Sequence, residues 1–345
     1  MTKKIAYMGW IEKNIGDLAG EQGFLKLAED YDVEVVSSRV PAVDINWDLV
    51  VLGCGNLLSC WPNEWLDKLD YNLVAKNKCA IFATGANEYR GGYQHEGKVD
   101  ELYKTTLVNH VDLCEYVALR DTHSIEIMES LGVKRKIEFV PDLAFGLEYE
   151  ENNYLANKYN IDFKEKTILY SPHFSDVVGK TENNMYVVNQ VDLLKTLIKG
   201  GFKIIICPVI YVNEQLAEVV YEILNDKKNS VLVKRAYDYD LNCFLTLLKK
   251  SSFVIGVKLH TAVLSTLVGT PFINIAYKHK NYDFCRMIGY DQGILPLDFK
   301  VEDAIWRFGE IYVNREQISQ HFNTMTARFK PLLKQKFAEL MKVVA

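Results

Sequence analysis

Short apolar runs alternate along the chain with longer stretches in which apolar residues recur three and four positions apart. The runs, such as LVVLG at 49–53 and KTILYS at 166–171, are bounded by glycine, proline or asparagine. Such runs predict strands that are buried on both faces. The longer stretches, such as QVDLLKTLIKGG at 190–201, predict amphipathic helices. The repeated order of strand and helix predicts an α/β fold with doubly wound, Rossmann-like parallel sheets.

A polar and acidic stretch at 147–166 carries no strand signal and divides the chain into two such series. We therefore expect an N-terminal α/β domain over 1–155 and a C-terminal α/β domain over 156–300. The pattern of 301–345 is helical, and these C-terminal helices are able to pack back onto the N-terminal domain. Two doubly wound domains in tandem are expected to face a cleft, at the carboxyl ends of their strands.

The composition excludes several classes of function. The net charge is -5, so no global basic field indicates a nucleic-acid partner. No apolar run approaches about 18 residues, so we expect no membrane-spanning helix. The seven cysteines are odd in number and lack CxxC spacing, which indicates reduced, mostly buried thiols in a cytoplasmic protein. We expect neither a disulfide framework nor a metal site.

Positive charge and imidazole follow two successive strands of the second domain. Lys258 and His260 come directly after the run FVIGV, and Lys278 and Lys280 come after PFINIAY. Because the carboxyl ends of parallel strands share one edge, both clusters should face one cleft, where a helix N-terminus also attracts anions. A small, highly charged anion such as a phosphate-carboxylate compound fits this arrangement. The alternative is a set of ordinary solvated lysines beside a capping or buried histidine.

Three further polar residues follow predicted strands. Ser171 and His173 stand just beyond the first strand of the second domain, on the expected edge of the cleft. Arg120 ends the strand YVALR in the first domain, and its guanidinium has a fixed fork of donors that suits a carboxylate or a phosphate. The alternative for Arg120 is a salt bridge to Asp121 or Asp142, and the alternative for His173 is an ordinary loop position.

The loop after the first strand is a second candidate region. Asn14 and Asp17 flank Gly16 at the start of a predicted helix. Gly16 allows a tight turn, and Asp17 is able to cap the helix. Asp17 is equally suited to accept hydrogen bonds from sugar hydroxyls or to take a proton from one of them. The motif GxGxxG is absent here, which argues against a dinucleotide site.

Glycine turns follow two more strands of the first domain. Gly55 and Asn56 come after LVVLG, where glycine permits a ligand to approach the backbone closely. Cys54 has no evident base partner, so we do not expect a nucleophile there. Asn87 follows the run CAIFATG, and Tyr89 lies two residues further, where its ring is able to stack on a sugar. Plain strand-to-helix turns are the alternative for both segments.

Nine short motifs follow one another in a fixed order over residues 5–290. They are Asn14-x-Gly16-Asp17, Gly53-x-Gly55, Arg120-Asp121-x-x-Ser124, Leu131-Gly132-Val133, Pro141-Asp142-x-Ala144-Phe145, Lys258-Leu259-His260, Gly269-x-Pro271, Tyr277-x-x-Lys280 and Phe284. In this order the chain resembles the polysaccharide pyruvyl transferase family. Two positions depart from the family pattern: Lys258 stands where arginine is usual, and Cys54 interrupts three adjacent glycines. Lysine keeps the charge but lacks the bidentate fork of arginine.

The resemblance implies a glycosyltransferase-B-like architecture and transfer of pyruvate from phosphoenolpyruvate to a sugar, as a cyclic ketal, with release of phosphate. Phosphoenolpyruvate is then a co-substrate, and neither a cofactor nor a metal is required. His260 is the candidate for proton transfer, and Asp17 for orienting or deprotonating the acceptor hydroxyl. The residues expected to bind phosphoenolpyruvate are Lys258, Lys278, Lys280, Arg120, Ser171 and His173. Those expected to bind the acceptor are Asn14, Gly55, Asn56, Asn87 and Tyr89.

Two other functions remain open from the sequence. A nucleotide-sugar glycosyltransferase of the same architecture would hold a diphosphate at the same helix N-terminus, although no clear glutamate for a ribose follows GVKLHTA. A non-catalytic anion-binding protein is the other alternative. The acceptor itself is a free, nucleotide-linked or lipid-linked sugar. A lipid-linked acceptor would bring this cytoplasmic protein to the inner face of the plasma membrane as a peripheral enzyme.

Overall fold

The computed structural model describes residues 2–9, 13–38, 46–59, 77–87, 101–164, 166–173 and 185–344. The chain forms two compact units, each built on a parallel sheet. Unit 1 comprises Met1–Glu12, Asp17–Leu147 and Arg328–Ala345, and unit 2 comprises Lys13–Gly16 and Glu148–Ala327. The change of unit after Leu147 lies earlier in the chain than the boundary that the sequence predicts between 155 and 156.

Unit 1 contains a parallel sheet of seven strands in the order β2-β1-β3-β5-β6-β7, with β4 paired to β5. Its strands are β1 (Lys3–Met8), β2 (Val33–Ser38), β3 (Leu49–Gly53), β4 (Asn56–Ser59), β5 (Cys79–Asn87), β6 (Tyr116–Leu119) and β7 (Glu138–Phe139). Its described helices are α1 (Ile15–Ala28), α2 (Glu101–Leu113) and α3 (Thr122–Ser130), of which α1 starts in unit 2. All five residues of β3 are buried, as expected for a strand covered on both faces.

The end of the last helix completes the core of unit 1. This helix, α11 (Arg315–Met341), brings Phe337 to within 5.1 Å of Phe24 and 5.9 Å of Phe82, measured between ring centroids. Phe329 likewise packs edge-on against Phe145 at 5.0 Å. Such edge-to-face aromatic pairs add about 0.5–1.5 kcal/mol each beyond the area they bury. The last turns of α11 are therefore part of the hydrophobic core of this unit.

Unit 2 contains a parallel sheet of six strands in the order β10-β9-β8-β11-β12-β13. Its strands are β8 (Thr167–Ser171), β9 (Lys203–Ile206), β10 (Ser230–Leu232), β11 (Phe253–Gly256), β12 (Phe272–Ala276) and β13 (Ile294–Pro296). Its described helices are α4 (Tyr154–Lys158), α5 (Met185–Lys199), α6 (Glu214–Leu224), α7 (Leu241–Lys250), α8 (Leu259–Val268), α9 (His279–Met287) and α10 (Val301–Val313), followed by the first part of α11. The strand order reverses direction between β8 and β11, which is where doubly wound sheets bind ligands.

The structure confirms the predicted fold of two parallel-sheet α/β domains. Every strand predicted from an apolar run is present, whereas β4 and β13 were not predicted. β4 has four residues, and its pairing with β5 is irregular between Asn56 and Leu58. β13 has three residues at the edge of its sheet and ends at Pro296.

Candidate functional site

Polar residues lie at the carboxyl edge of the unit 2 sheet, at the point where the strand order reverses. Ser171 ends β8 and pairs in register with Gly256, which ends β11 and pairs with Asn274 of β12. Helix α8 starts directly after β11, with Lys258 in the N-cap position and no side-chain hydrogen bond capping it. The free N–H groups of such a helix start favour a negatively charged ligand.

His173 is influenced electrostatically by the predicted cationic cluster. Its side chain is almost fully buried, with 6% of its surface exposed. Burial lowers the pKa of His173 to about 2, and the positive charges of Lys258, Lys280 and Lys278 act in the same direction. A charge influences a neighbour in this way only at short range, because water and salt screen it. Lys258, Lys278 and Lys280 therefore all lie within electrostatic range of the His173 imidazole.

The ring of Tyr277 lies between two of these lysines and the histidine. The Nζ atoms of Lys278 and Lys280 lie 5.8 Å and 5.9 Å from the centroid of the ring. The imidazole of His173 packs against the same ring at 4.7 Å between centroids, with 61° between the planes. An ammonium group within about 6 Å of an aromatic face is attracted by its quadrupole. Tyr277 thus helps to hold both lysines near His173.

A short segment from the N-terminal part of the chain is anchored in unit 2. The backbone N–H of Ile15 donates to the carbonyl of Val209 at 2.9 Å, and the N–H of Tyr211 donates to the carbonyl of Lys13 at 3.2 Å. Asn14 forms an isolated antiparallel bridge with Ile210 between these two bonds. The segment therefore lies in unit 2, although the sequence assigns it to the N-terminal domain.

Gly16 of this segment packs directly against His260. A Cβ atom added at Gly16 would lie 2.2 Å from His260 Nδ1, far inside van der Waals contact. The side chain of Asn14 accepts a hydrogen bond from the N–H of Gly16 at 3.0 Å, so Asn14 caps the start of α1 and Asp17 lies in its first turn. Gly16, two residues after Asn14, is thus in contact with His260, and the contact of Asn14 with an acceptor stays a prediction.

Two buried asparagines fix the loop that carries Lys258. Asn281 Nδ2 donates to the carbonyl of Val257 at 2.9 Å and to Asn274 Oδ1 at 2.6 Å. Asn274 Nδ2 in turn donates to the carbonyl of Lys258 at 3.3 Å. Both asparagines are 1% exposed. Neither asparagine was predicted from the sequence. An asparagine inside the apolar run FINIA is nevertheless a recognisable signal, because a buried amide requires partners.

In unit 1 the turn after β3 adopts left-handed backbone geometry. Cys54 has a φ of 60° and Gly55 a φ of 66°. Glycine adopts this region freely, whereas a side chain such as that of Cys54 is strained there. Burial, together with the charges of Asp142 and Asp17, raises the pKa of the Cys54 thiol. The group therefore remains a protonated thiol, in accordance with the expectation that it is no nucleophile.

Arg120 is buried in unit 1, with 4% of its side chain exposed. Its guanidinium lies 3.3 Å from Asp142 and 3.8 Å from Asp121, and it donates to Asn56 Oδ1. Asn56 Nδ2 donates to Asn87 Oδ1 at 2.9 Å. These contacts favour the salt-bridge alternative for Arg120 and occupy both asparagines within the unit. Their contact with a ligand stays a prediction, and Tyr89 lies outside the described residues.

Two general features of the described part of the chain bear on the chemistry. Among these residues, no group of three or more histidine, cysteine, aspartate or glutamate side chains has the arrangement of a metal site. No helix in the same ranges combines the length and the hydropathy that crossing a membrane requires. The groups available for chemistry in the candidate site are lysines, imidazoles and amides.

Comparison with known proteins decides the family. A family model described as polysaccharide pyruvyl transferase matches residues 14–279. The chain belongs to the polysaccharide pyruvyl transferase family. The match includes the anchored segment at Asn14 and extends to the start of α9, so it covers the cationic cluster except Lys280. No curated protein matches this pyruvyl transferase family member in a sequence comparison.

Solved structures show the same fold at low sequence identity. A putative UDP-N-acetylglucosamine 2-epimerase from Listeria monocytogenes has a TM-score of 0.63 and 10% identity, over 93% of this chain and 90% of that one. UDP-GlcNAc 2-epimerase from Methanocaldococcus jannaschii has a TM-score of 0.62 and 14% identity, over 91% and 93%. ADP-heptose LPS heptosyltransferase II from E. coli has a TM-score of 0.51 and 12% identity, over 91% and 99%. The fold is therefore of the glycosyltransferase-B type.

Proposed function

We propose that this member of the family transfers pyruvate from phosphoenolpyruvate to a sugar of a cell-surface polysaccharide precursor. The product is a cyclic pyruvate ketal, and inorganic phosphate is released. The observation that carries the proposal is that Lys278 and Lys280 lie at the ring of Tyr277, which packs against His173 beside the switch point of the unit 2 sheet. Family membership supports the class of reaction.

The charge of the cluster suits phosphoenolpyruvate. This ligand carries a phosphate and a carboxylate on a three-carbon frame, so it needs several cations within a small volume. Lys258, Lys278 and Lys280 supply three ammonium groups, and the start of α8 supplies the positive end of a helix dipole. A lysine ammonium is a point charge that two anionic groups are able to share, and it lacks the bidentate geometry of an arginine guanidinium.

The reaction consists of an addition and then a substitution at one carbon atom. A first sugar hydroxyl adds to C2 of phosphoenolpyruvate and passes its proton to a base while an acid delivers a proton to C3, so the double bond becomes a methyl group beside a tetrahedral carbon. A second hydroxyl of the sugar then replaces the phosphate at C2, which leaves as inorganic phosphate while the hydroxyl proton goes to a base. The first step has oxocarbenium character and depends on a well-placed acid.

The residues have distinct roles in this scheme. His260 delivers the proton, since an imidazole ring is able both to donate and to accept one. The three lysines stabilise the charge that develops on the leaving phosphate. Ser171, at the end of β8, and His173, two residues further, are assigned to binding the anionic groups. Asp17 orients or deprotonates the acceptor hydroxyl. Phosphoenolpyruvate is a co-substrate in this scheme, which requires no further cofactor.

The test measures phosphate release from phosphoenolpyruvate against galactose, mannose and glucosamine acceptors, each as a nucleotide-linked and a lipid-linked sugar, with mass spectrometry of the products. A ketal adds the mass of pyruvate less one water, with one phosphate released per transfer. His260→Ala should lower kcat by about 10²–10⁴-fold. His123→Ala, on a partly exposed surface of unit 1, is the matched control and should keep wild-type turnover.

A second candidate function is a nucleotide-sugar glycosyltransferase, which the fold comparison favours. Solved neighbours include an S. aureus MnaA–UDP co-structure and a UDP-GlcNAc 2-epimerase from Neisseria meningitidis bound to UDP-GlcNAc. Binding of UDP, but not of phosphoenolpyruvate, would support this candidate. Binding of phosphoenolpyruvate without phosphate release across all acceptors would instead indicate a non-catalytic anion-binding protein. If the active acceptor is lipid-linked, the enzyme works at the inner face of the membrane.

A further inference from the structure

Contacts from several elements fix the position of His173. It follows β8 by two residues, and its side chain is 6% exposed. The hydroxyl of Tyr186, in α5, donates to the backbone carbonyl of His173 at 3.1 Å. The ring of Tyr277 packs edge-on against the imidazole at 4.7 Å. The imidazole therefore has a fixed position, in which one nitrogen has an identified partner.

That partner is Asn213, which lies directly before α6 and has no exposed surface. Asn213 Nδ2 lies 2.9 Å from His173 Nδ1. An amide nitrogen only donates hydrogen bonds, so Nδ1 must be the acceptor in this pair. A neutral imidazole carries one proton, and with Nδ1 accepting, that proton is on Nε2. The backbone N–H of Asn213 donates to the carbonyl of Ile210 at 3.0 Å, which fixes the amide in turn.

The surroundings keep this ring uncharged. The groups that act on it are Lys258 before α8, Lys278 before α9 and Lys280 in α9, all of which oppose a further positive charge. Burial has the largest effect, and with the lysines it lowers the pKa of His173 to about 2, whereas the bond to Asn213 acts in the opposite direction. His173 is therefore neutral throughout the neutral pH range.

We propose that Asn213 is a positioning residue that holds His173 as a neutral Nε2–H donor, and that this N–H binds an anionic oxygen of phosphoenolpyruvate. The inference rests on the proposed function, because it specifies how the same site recognises its donor. The charges of the three lysines attract an anion without fixing its orientation. A neutral N–H donor adds a directional hydrogen bond to that attraction. Since its ring does not titrate near neutral pH, His173 binds the ligand without exchanging protons with it, which leaves proton transfer to His260.

The tautomer is tested on the full-length protein without any substitution. Long-range ¹H–¹⁵N spectra of histidine-labelled protein distinguish a protonated Nε2 from a protonated Nδ1 and from a charged ring. The chain has seven histidines, and the signal that disappears in His173→Gln identifies the one of interest. We expect the Nε2–H form, unchanged from pH 5.5 to 8. A protonated Nδ1, or a ring that gains charge in this range, would overturn the proposal.

Asn213→Asp tests the role of the amide. The new carboxylate accepts a hydrogen bond from Nδ1–H, so the tautomer should switch and the pKa of His173 should rise. We expect the KM for phosphoenolpyruvate to increase about tenfold or more, since a hydrogen bond to a charged group is lost. The change in kcat should be smaller. Asn225→Asp places the same charge at the exposed C-terminal end of α6, and should change neither the tautomer nor the KM.

Calorimetry with phosphoenolpyruvate separates this inference from the proposed function. Binding accompanied by a shift of the Nε2 signal supports both. Binding that leaves the His173 signal unchanged overturns the inference while the proposed function stands. Absence of binding by a protein that shows the expected tautomer overturns the proposed function and, with it, the ligand part of the inference. A folded Asn213→Asp variant with a wild-type tautomer and KM contradicts the role of Asn213.

Discussion

At the scale of single residues, the contact between Gly16 and His260 determines which side chains position 16 tolerates. In Gly16→Ala the new Cβ would lie 2.2 Å from His260 Nδ1, so either the ring or the helix start must move. We expect the free energy of unfolding to fall by about 1–3 kcal/mol, as in other overpacked sites. We also expect kcat to fall, because the imidazole is displaced. Chemical denaturation and the phosphate-release assay measure the two effects.

Gly309 offers a matched control for this substitution. It also lies within a helix, α10, and a Cβ there would meet no atom within 4 Å. Gly309→Ala should therefore stabilise the protein by about 0.5–1 kcal/mol, since alanine favours a helix more than glycine does. If Gly16→Ala gave the same stabilisation with full activity, the packing of His260 on Gly16 would not be needed for activity.

Arg120 provides a second residue-scale prediction, because its partners are acidic and buried. Removing the guanidinium in Arg120→Ala leaves Asp142 and Asp121 without their cation. We expect a loss of about 3–5 kcal/mol in the free energy of unfolding. Arg135→Ala, in which a partly exposed pair with Glu115 at 3.9 Å is lost, should change stability by less than about 1 kcal/mol.

The same variant discriminates between the two interpretations of Arg120. A loss of stability with an unchanged KM for phosphoenolpyruvate, measured under conditions that keep the variant folded, assigns the side chain to the architecture of unit 1. Wild-type stability combined with a raised KM would assign it to the ligand, as the sequence suggested.

At the scale of elements, the start of α8 depends on two asparagines that belong to other elements. Asn281 reaches back from α9 to the carbonyl of Val257 and to the amide of Asn274 in β12. Asn281→Ala removes the donor from both partners and leaves buried oxygens unsatisfied. We expect a loss of about 1–3 kcal/mol in the free energy of unfolding. Because the loop carries Lys258, the KM for phosphoenolpyruvate should rise as well.

An exposed asparagine serves as the control for this change. Asn314 Nδ2 donates to the carbonyl of Glu310 at 2.9 Å at the surface, where water replaces a lost donor. Asn314→Ala should therefore change stability by less than about 0.5 kcal/mol and leave the KM unaltered. Equal effects of the two substitutions would show that the network at α8 has no special role.

At the scale of the whole molecule, acid should weaken unit 1 through a cluster of charges that joins Lys136 and Glu138 to the last helix. Hydrogen bonds from Lys136 at 2.5 Å and from Lys336 of α11 lower the pKa of Glu138 from 4.5 to about 2. A carboxyl with a lowered pKa contributes stability that is complete above about pH 4.5 and disappears as the pH falls towards 2.

Glu138→Gln should therefore reduce the free energy of unfolding at pH 7 and flatten its decline between pH 4.5 and 2. Urea denaturation at several pH values measures this slope. Glu316→Gln is the control, since Glu316 is 85% exposed and lies 3.9 Å from Arg315. An unchanged acid slope in Glu138→Gln would mean that the cluster does not contribute to folding.

Most of the fold, but only part of the candidate site, could be predicted from the sequence. Strands buried on both faces appear as continuous apolar runs, so the element order could be read directly. The lysines were found because they follow strands that share an edge. Asn213 could not be found, since an asparagine before a helix looks like an ordinary cap and its contact with His173 spans 40 residues. The grouping of Lys13–Gly16 with unit 2 was hidden for the same reason.

This discontinuity of the two units constrains how the protein is made. A ribosome delivers the chain from its amino end, so Lys13–Gly16 must wait until residues 209–211 have emerged before it finds its hydrogen-bond partners. Unit 1, in turn, waits for Arg328–Ala345, which follow unit 2 along the chain. Neither unit is therefore encoded by one uninterrupted stretch of the chain, and during synthesis neither is complete before most residues of the other have emerged.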